Sequence, residues 1–227
     1  MSNIGSPDQP ASAIQLDPAV TAGRDEAWQM LGRTGTWWTA AERVEAADRA
    51  RARLAARSTP PWLRTEPDAG SGLPDDANQV IDVIAASLGQ VDRSWARDRI
   101  DALGDGAYVE LVAIVATVAI ADTLAAATGE APLPRPEPVD GSAPPTADRP
   151  DGMGDIGAYV PMQDPFSYAN VARALSLVPE ANRMFRTAMV PMYSAPGMAD
   201  LVWDTPLSRP QVELVATRVA ALHECFY

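Results

Sequence analysis

The sequence predicts an all-α protein, and three observations predict it. No segment of the 227 residues sustains the alternation of apolar and polar positions that a half-buried strand requires. Apolar residues instead recur every three or four positions in successive runs, the spacing of one helix face. Two of these runs follow a Ser or Thr with Glu or Gln three residues on, which is a helix-start pattern. Apolar residues make up 47% of the chain, enough to close a core, so most of the 15 Gly and 21 Pro belong in tails and linkers.

Residues 1–23 hold Ser, Pro, Asp and Gln without an apolar run, and read as a flexible tail that is not a signal peptide. A first helical repeat is expected over 24–130. Trp38-Thr39-Ala40-Ala41-Glu42 supplies a capping box, and Val44, Ala47, Ala50 and Leu54 then mark one helix face over 39–57. Pro60-Pro61 stops that helix, and the Gly, Pro and Asp cluster of 67–76 is a loop. Helical spacing resumes at 78–88, 92–103 and 107–128. The strongest apolar run, 111–120, is followed by Asp122. It is half the roughly 20 residues a membrane span needs, so it reads as a buried helix.

Residues 131–157 carry seven prolines and read as a semi-extended linker. A second, incomplete helical repeat is expected over 158–227, with helices at 165–177, 179–193 and 208–227. The two sides of the linker echo each other. Val109-Glu110-Leu111-Val112-Ala113 returns as Val212-Glu213-Leu214-Val215-Ala216, and Ser87-Leu88 and Arg93-Ser94-Trp95 find counterparts in Ser176-Leu177 and Arg183-Met184-Phe185. The ordered set predicts a duplicated helical unit. At this offset Cys225 aligns with Asp122, so the first repeat lacks a thiol and is expected to serve in packing.

Charge and cysteine content restrict function. A net charge of −12 argues against nucleic acid, which needs a basic surface, and against a polybasic membrane contact. A single cysteine excludes an internal disulfide framework and suits the reducing cytoplasm. The six Trp read as packing residues, because no glycine fingerprint for a flavin or nicotinamide is present, and one His rules out a His-rich metal site. No cofactor is expected.

The C-terminal residues carry the chemistry. Ser208-Arg209-Pro210-Gln211 is a second capping box with Pro in the first helical turn. Glu213 follows about one turn in, and Leu214, Val215, Ala216 and Val219 give the apolar face of a helix expected to be mostly buried. It leads to His223 and to Cys225, the only cysteine. Taken alone, a lone Cys on an apolar helix is a small inert hydrophobe, an early Glu is a helix-dipole residue, and His223 is a surface or capping residue. Glu110 reads as a helix-dipole residue in the same way.

The pattern L-S-R-P-Q-x-E-L-x-A-x-x-V-x-A-L-x-x-C-F-Y over 207–227 resembles the alkylhydroperoxidase D-like and carboxymuconolactone decarboxylase-like superfamily. Thiol peroxidases of that superfamily carry a Glu, a Cys-x-x-Cys twelve positions later, and a His four residues further on. The spacing from Glu213 to Cys225 is also 12. The resemblance implies a two-repeat helical fold, reduction of an organic hydroperoxide, recycling by a dithiol reductant or lipoyl-type adaptor, and a homo-oligomer. It implies Glu213 as the proton-relay carboxylate and Cys225 as the resolving thiol, with the peroxide-attacking residue one position past Tyr227. Attack by a thiolate gives a sulfenic acid, which a second thiol condenses to a disulfide.

Geometry sets a condition on this reading. Twelve residues of straight helix span roughly 18 Å and end about 120° out of register, so Glu213 reaches Cys225 only if the helix breaks near 222–225 or a neighbouring subunit intervenes. Three accounts of the position after Tyr227 compete: a cut chain, a true stop, or a UGA codon read as selenocysteine. The last fits best, because the attacking residue is where a selenolate helps. A carboxymuconolactone decarboxylase-type lyase, which needs no cysteine pair, and a non-catalytic packing or interaction protein are the rival functions.

Overall fold

A computed structural model describes residues 14–57, 71–139, 143–167, 170–193 and 206–222. Helix starts follow the local chemistry. Helix α2 (Ala40–Ala56) opens on the reciprocal box expected of it, with the Thr39 hydroxyl accepting from the Glu42 amide and the Glu42 carboxylate from the Thr39 amide. Helix α3 spans Asp75–Ala86, and α4 (Arg93–Leu103) starts where Asp92 accepts from the Trp95 amide. Helix α5 (Asp105–Thr128) ends at Gly129, whose φ of +76° is the left-handed cap that glycine adopts without strain. The all-α reading stands: two two-residue strands, β1 (Met153–Gly154) and β2 (Met162–Gln163), form the one small sheet among the described residues.

The tail is shorter than expected. Helix α1 (Pro18–Leu31) begins inside the stretch 1–23, with Asp17 capping the Ala19 amide and Pro18 in the first turn. Ala27, Trp28 and Leu31 bury one face of it. Gly23 lets it approach the later chain closely, since a Cβ there would lie 2.5 Å from the Thr187 carbonyl oxygen.

Helix α5 is the centre of the fold. It packs against α1, α2, α3, α4 and also α6 (Pro179–Met189). Leu111, Ile114 and Val118 are fully buried on it. By length and composition α5 is apolar enough to cross a membrane; five helices pack on it, and 44% of its most apolar 18-residue window is buried.

The chain after the Pro-rich stretch packs back onto the first helices. Leu177, Val178, Ala181 and Met184 enter the same core as α1, α2, α3 and α5, so 24–130 and 179–189 share one hydrophobic centre. The Pro-rich stretch is correspondingly tied down. The Pro134 carbonyl accepts from Trp28 Nε1, Leu133 from Arg51, and the Val139 and Ala147 amides donate to the Gly32 and Thr36 carbonyls. Of the helix expected over 165–177, the described residues, which leave out 168–169, show a 3-10 turn at Asn170–Arg173. There Leu175, Ser176, Leu177 and Val178 are buried consecutively, which a helix with one buried face does not allow. Helix α6 stops before the expected 193 because Pro191 lacks an amide to continue the ladder.

Helix α7 (Arg209–Leu222) forms as expected, with Gln211 Oε1 accepting from the Ser208 amide and hydroxyl. Its burial does not follow the expectation. No described residue of α7 is buried, and Leu214, Val215, Val219 and Leu222 are 50–71% exposed. Among the described residues, no element packs over α7 as those neighbours pack over α5.

Candidate functional site

The expected site residues divide between the described and masked parts of the chain. Glu213 lies in the second turn of α7, 59% exposed, with its Oε1 3.4 Å from Arg209 Nε. His223 and Cys225 lie outside the described residues, as does the proposed break at 222–225. The structure therefore describes Glu213, the carboxylate expected to act as a proton relay, apart from Cys225.

The duplicate of this pattern is fully visible. Glu110 stands on α5 where Glu213 stands on α7, and it is no mere helix-dipole residue. Its side chain is 0% exposed. Oε1 accepts from Arg43 Nη1 at 2.7 Å, and Oε2 accepts from the Trp37 amide at 2.8 Å. The segment 33–39 between α1 and α2 folds over the carboxylate to supply that amide. Gly35 makes the fold-over possible, since a Cβ there would collide with Glu110 Oε1 and Arg43 Nη1. Burial pushes the Glu110 carboxyl above the ordinary carboxylate range, against the opposing pull of Arg43 and the backbone amides.

In the sequence, Asp122 is the position that aligns with Cys225 at the offset of the shared pentapeptide. It is clamped by both arms of Arg51, with Nη2 2.6 Å from Oδ1 and Nε 2.9 Å from Oδ2. The Arg51 guanidinium also lies 4.5 Å over the Trp28 ring. Both acidic positions of the α5 copy are thus engaged by arginines eight residues apart on α2. Glu110 is closed off from solvent, Asp122 is partly exposed but held by Arg51, and α5 carries no thiol at the cysteine register. This arrangement holds α2 to α5.

The expectation of packing tryptophans holds for those with described side chains. Trp28 and Trp38 are buried with their indole N–H groups donating to the Pro134 and Ala107 carbonyls. Trp62 and Trp203 lie outside the described residues. No cluster of three His, Cys, Asp or Glu residues able to hold a metal occurs among the described residues.

The sequence reading missed the Arg43–Glu110 pair. A signal for it was present, since Glu110 is the one charged residue within an otherwise apolar stretch of 106–121. A carboxylate buried in such a helix needs a cationic partner.

The chain matches no known family, no curated protein and no solved structure.

Proposed function

We propose that this chain belongs to a thiol- or selenol-dependent peroxidase reducing organic hydroperoxides, on the two-repeat helical plan of the alkylhydroperoxidase D-like superfamily. One observation carries the reading: Glu213 and Cys225 stand twelve positions apart inside the L-S-R-P-Q-x-E-L pattern. The exposure of the Glu213 carboxylate and of the apolar face beside it supports it, because α7 is open to further packing that would complete a site.

The reaction has two halves. An attacking thiolate or selenolate takes the terminal oxygen of the hydroperoxide, and the O–O bond breaks. Sulfur or selenium is oxidised to the sulfenic or selenenic acid, and the alkoxide leaves with a proton relayed through Glu213. The Cys225 thiolate then attacks the sulfur or selenium of that acid, the S–O or Se–O bond breaks, the hydroxide leaves as water with a proton from solvent, and a disulfide or selenenylsulfide forms. An external dithiol or lipoyl-type adaptor exchanges with it and restores the reduced pair. The 227 residues hold one cysteine, and on the Cys-x-x-Cys spacing of the resembled family the scheme needs its attacking thiol or selenol three positions beyond Cys225. A homo-oligomer is part of the proposal, since a neighbouring subunit is one route for Glu213 to meet the pair. The first copy, with Glu110 and Asp122 both held by arginines, is assigned to packing.

The codon after Tyr227 tests the assignment. A Cys or in-frame UGA codon, with a His codon four positions further on and helical sequence beyond, is the expected result. Another codon, together with Cys225-independent turnover of a carboxymuconolactone, would overturn it in favour of the lyase.

A further inference from the structure

We infer that the segment 143–149 is a strap that opens ahead of the rest of the fold, and that the buried Glu110 carboxylate latches it through a single peptide group. The Thr36–Trp37 peptide unit is the link. Its N–H donates to Glu110 Oε2 at 2.8 Å, and its C=O accepts from the Ala147 amide at 2.8 Å. The two bonds leave opposite sides of one rigid trans plane. A carboxylate on the N–H side polarises the unit and makes its oxygen a better acceptor, because hydrogen bonds in a chain strengthen one another. Glu110 therefore acts on the strap without touching it.

The strap has little else to hold it. Of residues 143–149, only Pro145 is half-buried and the rest are exposed. Besides the Ala147 amide, its polar attachment among the described residues is the ion pair of Arg149 with Asp105, at the start of α5. Ala147 itself sits at φ +53°, in the left-handed region that glycine adopts freely and a side chain with Cβ does not. Such strain persists only where the surroundings impose it, and here the Thr36 carbonyl and the Asp105 carboxylate do so from either side. Exposed backbone, few buried contacts and local strain place the strap at the low-stability end of the molecule. The turn beneath Thr36 is better anchored. Trp38 is buried with its indole N–H on the Ala107 carbonyl, and the Trp37 amide is on Glu110. The strap is thus able to lift while the turn stays, whereas loss of the turn from Glu110 takes the strap with it. Lifting releases Asp105, 14% exposed in its pair with Arg149, at the head of the central helix.

Amide hydrogen exchange of the full chain, read by NMR as protection factors, tests both parts. The Ala147 amide should be less protected than the Trp37 amide. Ala147→Gly relieves the strain and should raise protection at position 147 about threefold. Glu110→Gln should lower protection of Trp37 about tenfold, the loss of one charge-assisted hydrogen bond, and that of Ala147 at least about twofold. Glu110→Leu with Arg43→Met removes the carboxylate without leaving a buried charge, and should lower Ala147 in the same way. Asp82→Asn weakens α2 against α3, away from the turn, and should leave Ala147 as it is in the unaltered chain. Ala147 protection at or above that of Trp37 overturns the inference. So does Ala147 protection unmoved by loss of the Glu110 carboxylate, or lowered as much by Asp82→Asn.

Discussion

Glu110 Oε1 lies 2.7 Å from Arg43 Nη1, with 0% and 5% of the two side chains exposed. The residues are 67 positions apart in sequence, and their contact joins α2 to the central helix. Removing one partner leaves an uncompensated buried charge. Glu110→Leu should therefore cost about 3–5 kcal/mol in denaturant unfolding, while Glu110→Leu with Arg43→Met should recover much of the loss. A double variant as unstable as the single one would show that the pair is not the source of the effect.

Asp82 gives the molecule a defined acid sensitivity. Burial works to raise its carboxyl, but the hydrogen bonds and charges of Arg53 and Arg49 outweigh burial and hold it below the usual range. A carboxylate lowered in the folded state contributes stability that is present above its unfolded value, near 3.8, and lost as pH falls through the folded value. The stability difference between the unaltered chain and Asp82→Asn should be constant from neutral pH down to about 5 and should shrink below about 4. Unfolding curves across that range measure it, and a difference that grows with acid contradicts the assignment.

Gly23 sets the distance between α1 and α6. Gly23→Ala gains up to about 1 kcal/mol in helix propensity. It also places a Cβ 2.5 Å from the Thr187 carbonyl oxygen and 2.9 Å from Pro191 Cγ, and overpacking of this kind costs about 1–3 kcal/mol. Steric cost should win, and the unfolding temperature should fall. A rise would mean that α1 and α6 separate freely.

The open face of α7 has a consequence in solution. Leu214, Val215, Val219 and Leu222 form an uncovered apolar surface, which tends to drive association. The 227-residue chain should self-associate at micromolar concentration by light scattering, and Leu214→Lys with Leu222→Lys should shift it towards monomer. A compact monomer of the unaltered chain would contradict this.

The helices were legible where the sequence supplied caps. Thr39 with Glu42 and Ser208 with Gln211 each mark a helix start found in the structure. Helix α1 was not read because Asp17-Pro18 lies in a polar stretch whose composition resembles a tail. The place of α6 was hidden for another reason. A Pro-rich stretch looks like a spacer in sequence, and only tertiary hydrogen bonds from Trp28, Arg51, Val139 and Ala147 show that it lies against the first helices. The exposure of α7 was illegible because the same pentapeptide, Val-Glu-Leu-Val-Ala, is buried in α5 at every position but the half-buried Val112, and burial depends on neighbours that periodicity does not reveal. At the site, spacing located Glu213 but gave no view of the arginines on α2 that engage Glu110 and Asp122.

Hydroperoxide turnover tests the central claim most directly. The measurement uses this chain continued through the residues that follow Tyr227 in its coding sequence, with Cys or selenocysteine in the first of them, an organic hydroperoxide and a dithiol reductant. The proposed chemistry requires reductant-dependent turnover, lost on Cys225→Ser and reduced on Glu213→Gln by about 10²–10⁴-fold, the usual contribution of a positioned proton-transfer group. Glu110→Gln, which weakens only the packing pair, should leave the rate per folded molecule unchanged. Turnover that survives Cys225→Ser and Glu213→Gln, or no turnover in the folded continued chain, would contradict the peroxidase assignment.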